Sequence, residues 1–98
     1  MVKKVKWNKS ASQQLFKIIT YLETEASHQA AENFAKTVFD KIELLRIQPF
    51  MGQATRNDKV KRRLHIDKHN VLLYRIKGRV LTISGFFDSR QHPDKKPY

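Results

Sequence analysis

A basic set dominates the C-terminal third of the chain: Lys61, Arg62, Arg63, His65, Lys68, His69, Arg75, Arg79, Arg90 and His92, with Tyr74 and Tyr98 nearby in sequence. These residue types suffice for RNA cleavage without a metal. In that reaction the 2′-hydroxyl loses a proton, the pentacovalent phosphate needs cationic stabilisation, and the leaving oxygen takes up a proton. Arginine or lysine supplies the charge. Histidine, tyrosine or a lysine of lowered pKa moves the protons. On this reading the catalytic candidates are Arg63, His65, His69, Arg90 and His92, and the RNA-holding candidates are Lys61, Arg62, Lys68 and Arg75. A solvated strand face produces the same pattern in one dimension. His69 sits in a turn, where a backbone-bonding role competes with catalysis. Tyr74 and Trp7 read most simply as core aromatics.

Other chemistries lack their signatures. The sequence holds no glycine-rich phosphate loop, no HExxH, no metal-ligand cluster and no serine elbow, so no metal and no cofactor is expected. The 9 acidic residues are scattered, which argues against a two-metal carboxylate nuclease. With no cysteine there is neither a disulfide framework nor thiol chemistry. A net charge of +11, from 20 Lys plus Arg against those 9 acids, points to polyanionic partners: nucleic acid, ribosome or a strongly acidic protein. The N-terminal lysines are followed by no apolar run, and no stretch is long enough to span a bilayer. A soluble, cytoplasmic protein without a membrane partner is expected.

The elements that must position the basic residues follow from periodicity. At 98 residues the chain has room for one domain with one small core, and residues 88–98 form an extended tail. Residues 2–7 alternate, Val5 and Trp7 against Lys4 and Lys6, as a strand with one wet face. Ser10 followed by Gln13 resembles a capping box that opens a helix. Leu15, Ile18, Ile19 and Leu22 make its apolar stripe, which predicts Ile18 and Leu22 to be nearly inaccessible. Ser27 caps a second helix striped by Ala31, Phe34, Ala35, Val38, Ile42 and Leu45, which stops near Ile47 and Gln48 ahead of Pro49. Residues 49–58 read as a surface loop.

The period then changes to two. Val60, Leu64 and Ile66 alternate with Lys61, Arg63 and His65. A turn at 67–70 leads into a strand over 71–76, a reversal at Lys77 and Gly78, and a last strand from Arg79 to about Phe86. The order is β-α-α-β-β-β. It predicts an α+β fold in which a helical hairpin covers one face of a small antiparallel sheet. The opposite face stays open and carries Lys61, Arg63 and His65.

The run Gly85-Phe86-Phe87-Asp88-Ser89-Arg90-Gln91-His92-Pro93 resembles the C-terminal signature of the RelE/ParE superfamily, the toxins of type II toxin–antitoxin and plasmid-stabilisation systems. The resemblance runs over residues 5–93. It takes in Trp7 and Ala11, Ile18, Tyr21 and Leu22, Ala31 and Phe34, Leu45, Pro49 and Gly52, then Arg63, His69 and Tyr74-Arg75-Ile76. It implies a toxin neutralised by a cognate acidic antitoxin whose flexible segment wraps it. It also implies one of two activities. RelE-like members cut messenger RNA on the ribosome with basic residues and a tyrosine; ParE-like members poison DNA gyrase and are not nucleases. In the first case Arg63 and Arg90 match phosphate-stabilising positions. The tyrosine expected near the C-terminus has no clear equivalent, since Tyr98 follows two prolines. A ribosome-dependent endoribonuclease is the reading adopted, with gyrase inhibition as its alternative. A nucleic-acid-binding module working by charge alone would explain the net charge but neither the hairpin nor the C-terminal segment.

Overall fold

The computed structural model describes residues 2–56 and 60–88. Strand β1 (Lys4–Trp7) leads into helices α1 (Lys9–Glu25) and α2 (His28–Ile47). Strands β2 (Gln53–Ala54), β3 (Lys61–His65), β4 (Asn70–Lys77) and β5 (Val80–Asp88) follow. They form one five-stranded sheet in the order β1-β5-β4-β3-β2. This is the α+β arrangement expected, with two refinements. The sheet is mixed, because β1 pairs parallel to β5, in register from Lys4 against Val80 to Trp7 against Ile83. The segment expected as a loop also contributes the short strand β2, antiparallel to β3.

The second helix forms as its sequence requires. The Ser27 hydroxyl accepts a hydrogen bond from the Ala30 amide at 3.0 Å, satisfying a donor that the helix itself leaves unpaired. Ala31, Phe34, Val38, Ile42 and Leu45 are buried along one stripe. The helix ends at Ile47, with Gln48 already outside the α region ahead of Pro49. Phe34, Val38, Ile42 and Leu45 share one core with Leu72, Tyr74, Ile76, Leu81 and Ile83 of the sheet.

The first helix departs from expectation at its start and in how deeply its stripe is buried. It begins at Lys9 with Asn8 as its cap and no side-chain capping bond, not at a box formed by Ser10 and Gln13. The sheet decides this start: the Asn8 amide donates to the Ile83 carbonyl at 3.0 Å, so β1 hands the chain to the helix while still bonded to β5. Ala11 and Leu15 are the buried residues of α1, whereas Ile18 and Leu22 are only half-buried. Beyond Trp7 no β1 backbone continues beneath the helix. A groove of about 450 Å³ lies between Ile18, Tyr21 and Leu22 on one side and Phe86 and Phe87 on the other.

In the hairpin of β4 and β5, Lys77 pairs with Val80, leaving Gly78 and Arg79 as a two-residue turn. Gly78 has φ of 61°, the left-handed conformation that such turns demand and that glycine adopts without strain. The register shifts at Leu73 and Tyr74, where Ser84 is the extra residue of a β-bulge. Among the described residues no helix is long and apolar enough to cross a membrane.

Candidate nucleic-acid interface

The register sorts the basic residues by face. Residues directly opposed in an antiparallel pair point to the same side. Arg62 opposes Tyr74 and Leu64 opposes Leu72, and both Tyr74 and Leu72 belong to the core under the helices. Lys61, Arg63 and His65 therefore point to the other side, opposite Arg75, Leu73 and Val71. The alternation predicts this face, opposite the helices; on it His65 and Arg75 are exposed, whereas Val71 and Leu73 are buried. Along one strand, side chains two residues apart stand roughly 6.6 Å from each other. Arg63 is thus flanked by Lys61 and His65 on the same face. Its guanidinium donates a long bond to Gln53 Oε1 at 3.4 Å, so β2 borders the site. His65 is exposed, and Arg63 and Lys61 are half-buried.

Arg62 is separated from this group, although sequence reasoning placed it among the RNA-holding residues. Its Nη1 donates to the Gly52 carbonyl at 2.7 Å and to the Phe50 carbonyl at 3.2 Å, and its guanidinium lies 4.9 Å from the centroid of the Phe50 ring. Its Nε is buried and makes no hydrogen bond. The residue holds the 49–54 segment on the helix-facing side of the sheet.

Tyr74 completes the same clamp from beneath. It is fully buried. Its hydroxyl accepts a hydrogen bond from the Gly52 amide at 2.9 Å and donates one to the Pro49 carbonyl at 2.9 Å. Burial pushes the phenol's pKa up from its ordinary 10.0, a shift that the Gly52 hydrogen bond and the nearby Arg62 charge partly oppose. Gly52 is required by close approach. A Cβ there would sit 2.8 Å from the Arg63 carbonyl oxygen and 2.8 Å from Tyr74 Cε1, and nearer still to the phenolic oxygen.

Lys68 and His69 lie in the turn between β3 and β4, at the His65 end of the sheet. Asp67 organises that turn. Its Oδ1 accepts from the His69 amide at 2.8 Å and from the Asn70 amide at 2.8 Å. Such Asx turns fix a short reversal by replacing a backbone acceptor with a carboxylate. The His69 backbone is thereby tied down. Arg90, His92 and Tyr98 lie outside the described residues; of the expected 88–98 tail only Asp88 is described, and it is the last residue of β5 rather than tail.

Sequence reasoning left four residues out of this face: Lys4, Lys6, Lys77 and Thr82. Lys6 pairs with Thr82, Thr82 with Arg75, and Arg75 with Lys61, so one row crosses four strands. Lys4 and Lys77 meet at Val80 in the next row. The wet face of the first strand was visible in its alternation. Its position beside the last strand was not, because that pairing joins residues more than seventy positions apart.

The chain matches the family model described as the ParE toxin of the type II toxin–antitoxin system parDE, over residues 5–93. Among solved structures it is similar to the chromosomal ParDE system from P. aeruginosa, with TM-score 0.72 and 15% identity over 89% of this chain and 96% of that one. A YoeB/ParE toxin from Agrobacterium tumefaciens gives TM-score 0.62 at 15% identity, covering 88% of this chain and 98% of that one. The E. coli DinJ–YafQ complex gives TM-score 0.58 at 11% identity, covering 94% and 98%. No curated protein sequence matches significantly. The fold and the family match agree: this chain belongs to the ParE toxin family of type II toxin–antitoxin systems.

Proposed function

We propose that this toxin acts on RNA, as a metal-independent endoribonuclease that cuts messenger RNA on the ribosome. The observation that carries this reading is the grouping of Lys61, Arg63 and His65 on the face opposite the hairpin, with Arg75 directly across from Lys61. In the reaction, a histidine takes the 2′-hydroxyl proton and the freed oxygen attacks the adjacent phosphorus. The bond to the 5′-oxygen breaks, leaving a 2′,3′-cyclic phosphate, and a second acid protonates the departing oxygen. Arg63 meets the extra negative charge of the pentacovalent state. His65 stands beside it as a proton carrier, and His69, Arg90 and His92 complete the proposed catalytic set. Lys61, Lys68 and Arg75 hold the substrate backbone. Arg62 belongs to the clamp and is left out of this role.

The same reading includes an acidic antitoxin as the neutralising partner. The ParDE and DinJ–YafQ structures that this fold resembles are toxin–antitoxin systems by name. On this chain the outer surfaces of the helices expose Phe16, Tyr21, Phe39, Leu44 and Ile47, and the following loop exposes Phe50 and Met51. Apolar area of this kind suits a partner segment that folds as it binds, and the chain's net charge of +11 favours an acidic one.

A second reading is inhibition of DNA gyrase without cleavage, and the match to a ParE family model favours it. Primer extension on a reporter message after induction, run beside a gyrase supercoiling assay, separates the two. Codon-positioned cuts that need translating ribosomes support the nuclease. Replacing Arg63 with Ala should then raise the barrier by about 2.7–4 kcal/mol, the cost of one preorganised donor. Intact messages with blocked supercoiling, and toxicity that survives loss of His65 and His69, would replace it with gyrase inhibition.

A further inference from the structure

We infer that the N-terminal strand carries part of the substrate site: Lys4 and Lys6, with Lys77 and Thr82, extend the cationic face across the sheet and hold backbone phosphates of a single-stranded polynucleotide. The inference rests on the RNA-directed reading above and adds to it a path for the strand outside the catalytic group.

The parallel register is what creates the path. Lys6, Thr82, Arg75 and Lys61 form one row over β1, β5, β4 and β3. Neighbouring strands lie about 4.8 Å apart, so the row spans about 14 Å, long enough to meet more than one phosphate. Arg75 and Lys61 are directly opposed across β3 and β4, which places two cationic side chains side by side on this face. Lys4 and Lys77 flank Val80 in the adjacent row, so the face gains two further cations there.

The described carboxylates lie elsewhere. Glu23 and Glu25 are at the end of α1, Glu32, Asp40 and Glu43 on α2, and Asp67 in the turn before β4. Asp88 opposes Asn70, in the same alternation as Leu72 and Tyr74, and so shares the helix-facing side. No carboxylate among the described residues therefore interrupts the row. An acidic peptide is the competing occupant. Peptide recognition relies on apolar anchors seated in pockets. On this face Val71 and Leu73 are buried, at 1% and 6% exposure, and Val80 is half-buried between Lys4 and Lys77. What the rows offer is charge at strand spacing, which suits a phosphate chain read without base contacts.

The test uses a labelled single-stranded RNA with 2′-O-methyl groups, which binds but cannot be cut, and follows anisotropy over a range of salt without ribosomes. Each phosphate contact on a single strand contributes about 0.7 to the slope of log affinity against log salt. The double variant Lys4→Gln/Lys6→Gln should lower that slope by about 1.4 relative to the unaltered toxin. A charge-matched variant of helix lysines, Lys9→Gln/Lys36→Gln, should leave it unchanged. Circular dichroism checks that both remain folded. Equal slopes for the two double variants would overturn the inference. So would a face that binds polyglutamate but not the RNA. Ribosomal cleavage with a slope indifferent to Lys4 and Lys6 sinks this inference alone. A slope that does depend on them, together with intact messages, supports the phosphate path and sinks the nuclease reading instead.

Discussion

Replacing Tyr74 with Phe removes one oxygen atom and strands two backbone groups. The Gly52 amide, which is buried, loses its 2.9 Å acceptor. An unsatisfied buried donor costs about 1–3 kcal/mol. The Pro49 carbonyl loses its 2.9 Å donor too, but it is partly open and water can replace the phenol. Together with the void left by the oxygen, the loss should come to about 2–3 kcal/mol. At this chain length each kcal/mol moves the melting temperature by about 4–8 °C, so a drop of about 8–24 °C is expected. Urea denaturation of both proteins measures the free energy directly, and an unchanged slope with denaturant shows that the unfolded state is the same.

The pH dependence gives an independent check on that difference. Because burial raises the phenol's pKa above 10.0, the unfolded chain ionises first as the solution becomes alkaline. The contribution of Tyr74 is complete below pH 10.0 and is lost as pH rises through the higher folded value. The stability gap between the unaltered protein and Tyr74→Phe should therefore be constant near neutrality and shrink in alkali. Tyr21→Phe, at an exposed position, is the control and should show neither effect. A Tyr74→Phe protein within 0.5 kcal/mol of the original, flat to alkaline pH, would refute the clamp; that threshold is about the scatter of ordinary surface substitutions.

Four further outcomes follow from the same contacts. Gly52→Ala must move Tyr74 or the Arg63 backbone, because its Cβ would lie 2.8 Å from each, and thermal melts should show a loss of about 1–3 kcal/mol from overpacking. The adjacent arginines should behave oppositely. Arg62→Ala strands the Gly52 carbonyl and should cost about 1–3 kcal/mol in urea melts, whereas Arg63→Ala should leave stability nearly unchanged while lowering toxicity in a growth assay. Ser27→Ala removes the cap of α2 and should cost about 1 kcal/mol, read by helical circular dichroism on heating. Phe34→Ala opens a cavity in the shared core and should cost about 3–5 kcal/mol, with Ile18→Ala costing less because Ile18 is only half-buried.

The helices and the basic face were legible because each rests on local periodicity. Phe34, Val38, Ile42 and Leu45 repeat at helical spacing, and a helix with that stripe has one stable way to bury it. Lys61, Arg63 and His65 alternate with Leu64 and Ile66, and only one register puts those two apolar residues inside. Gly78 at a two-residue reversal needed nothing beyond its own backbone freedom. The start of α1 was misread because a nonlocal bond, from Asn8 to Ile83, outweighs the local capping pattern at Ser10. The parallel placement of β1 was illegible for the same reason.

Arg62 shows where local information was present but overridden. It has the same parity as Leu64 on β3, so the alternation that faces Arg63 outward also faces Arg62 inward. Grouping it with its neighbours by charge ignored the period of two. A guanidinium is tolerated on the inner side because it meets backbone carbonyls at Gly52 and Phe50 and an aromatic ring in place of water. The clamp has a consequence for the site. The segment it fixes includes Gln53, which contacts the Arg63 guanidinium from β2. Arg62 and Tyr74 thus support Arg63 through the strand beside it, while touching nothing on the open face. Loss of either should loosen the position of Arg63 before it unfolds the domain, so toxicity should fall at temperatures where the protein is still folded.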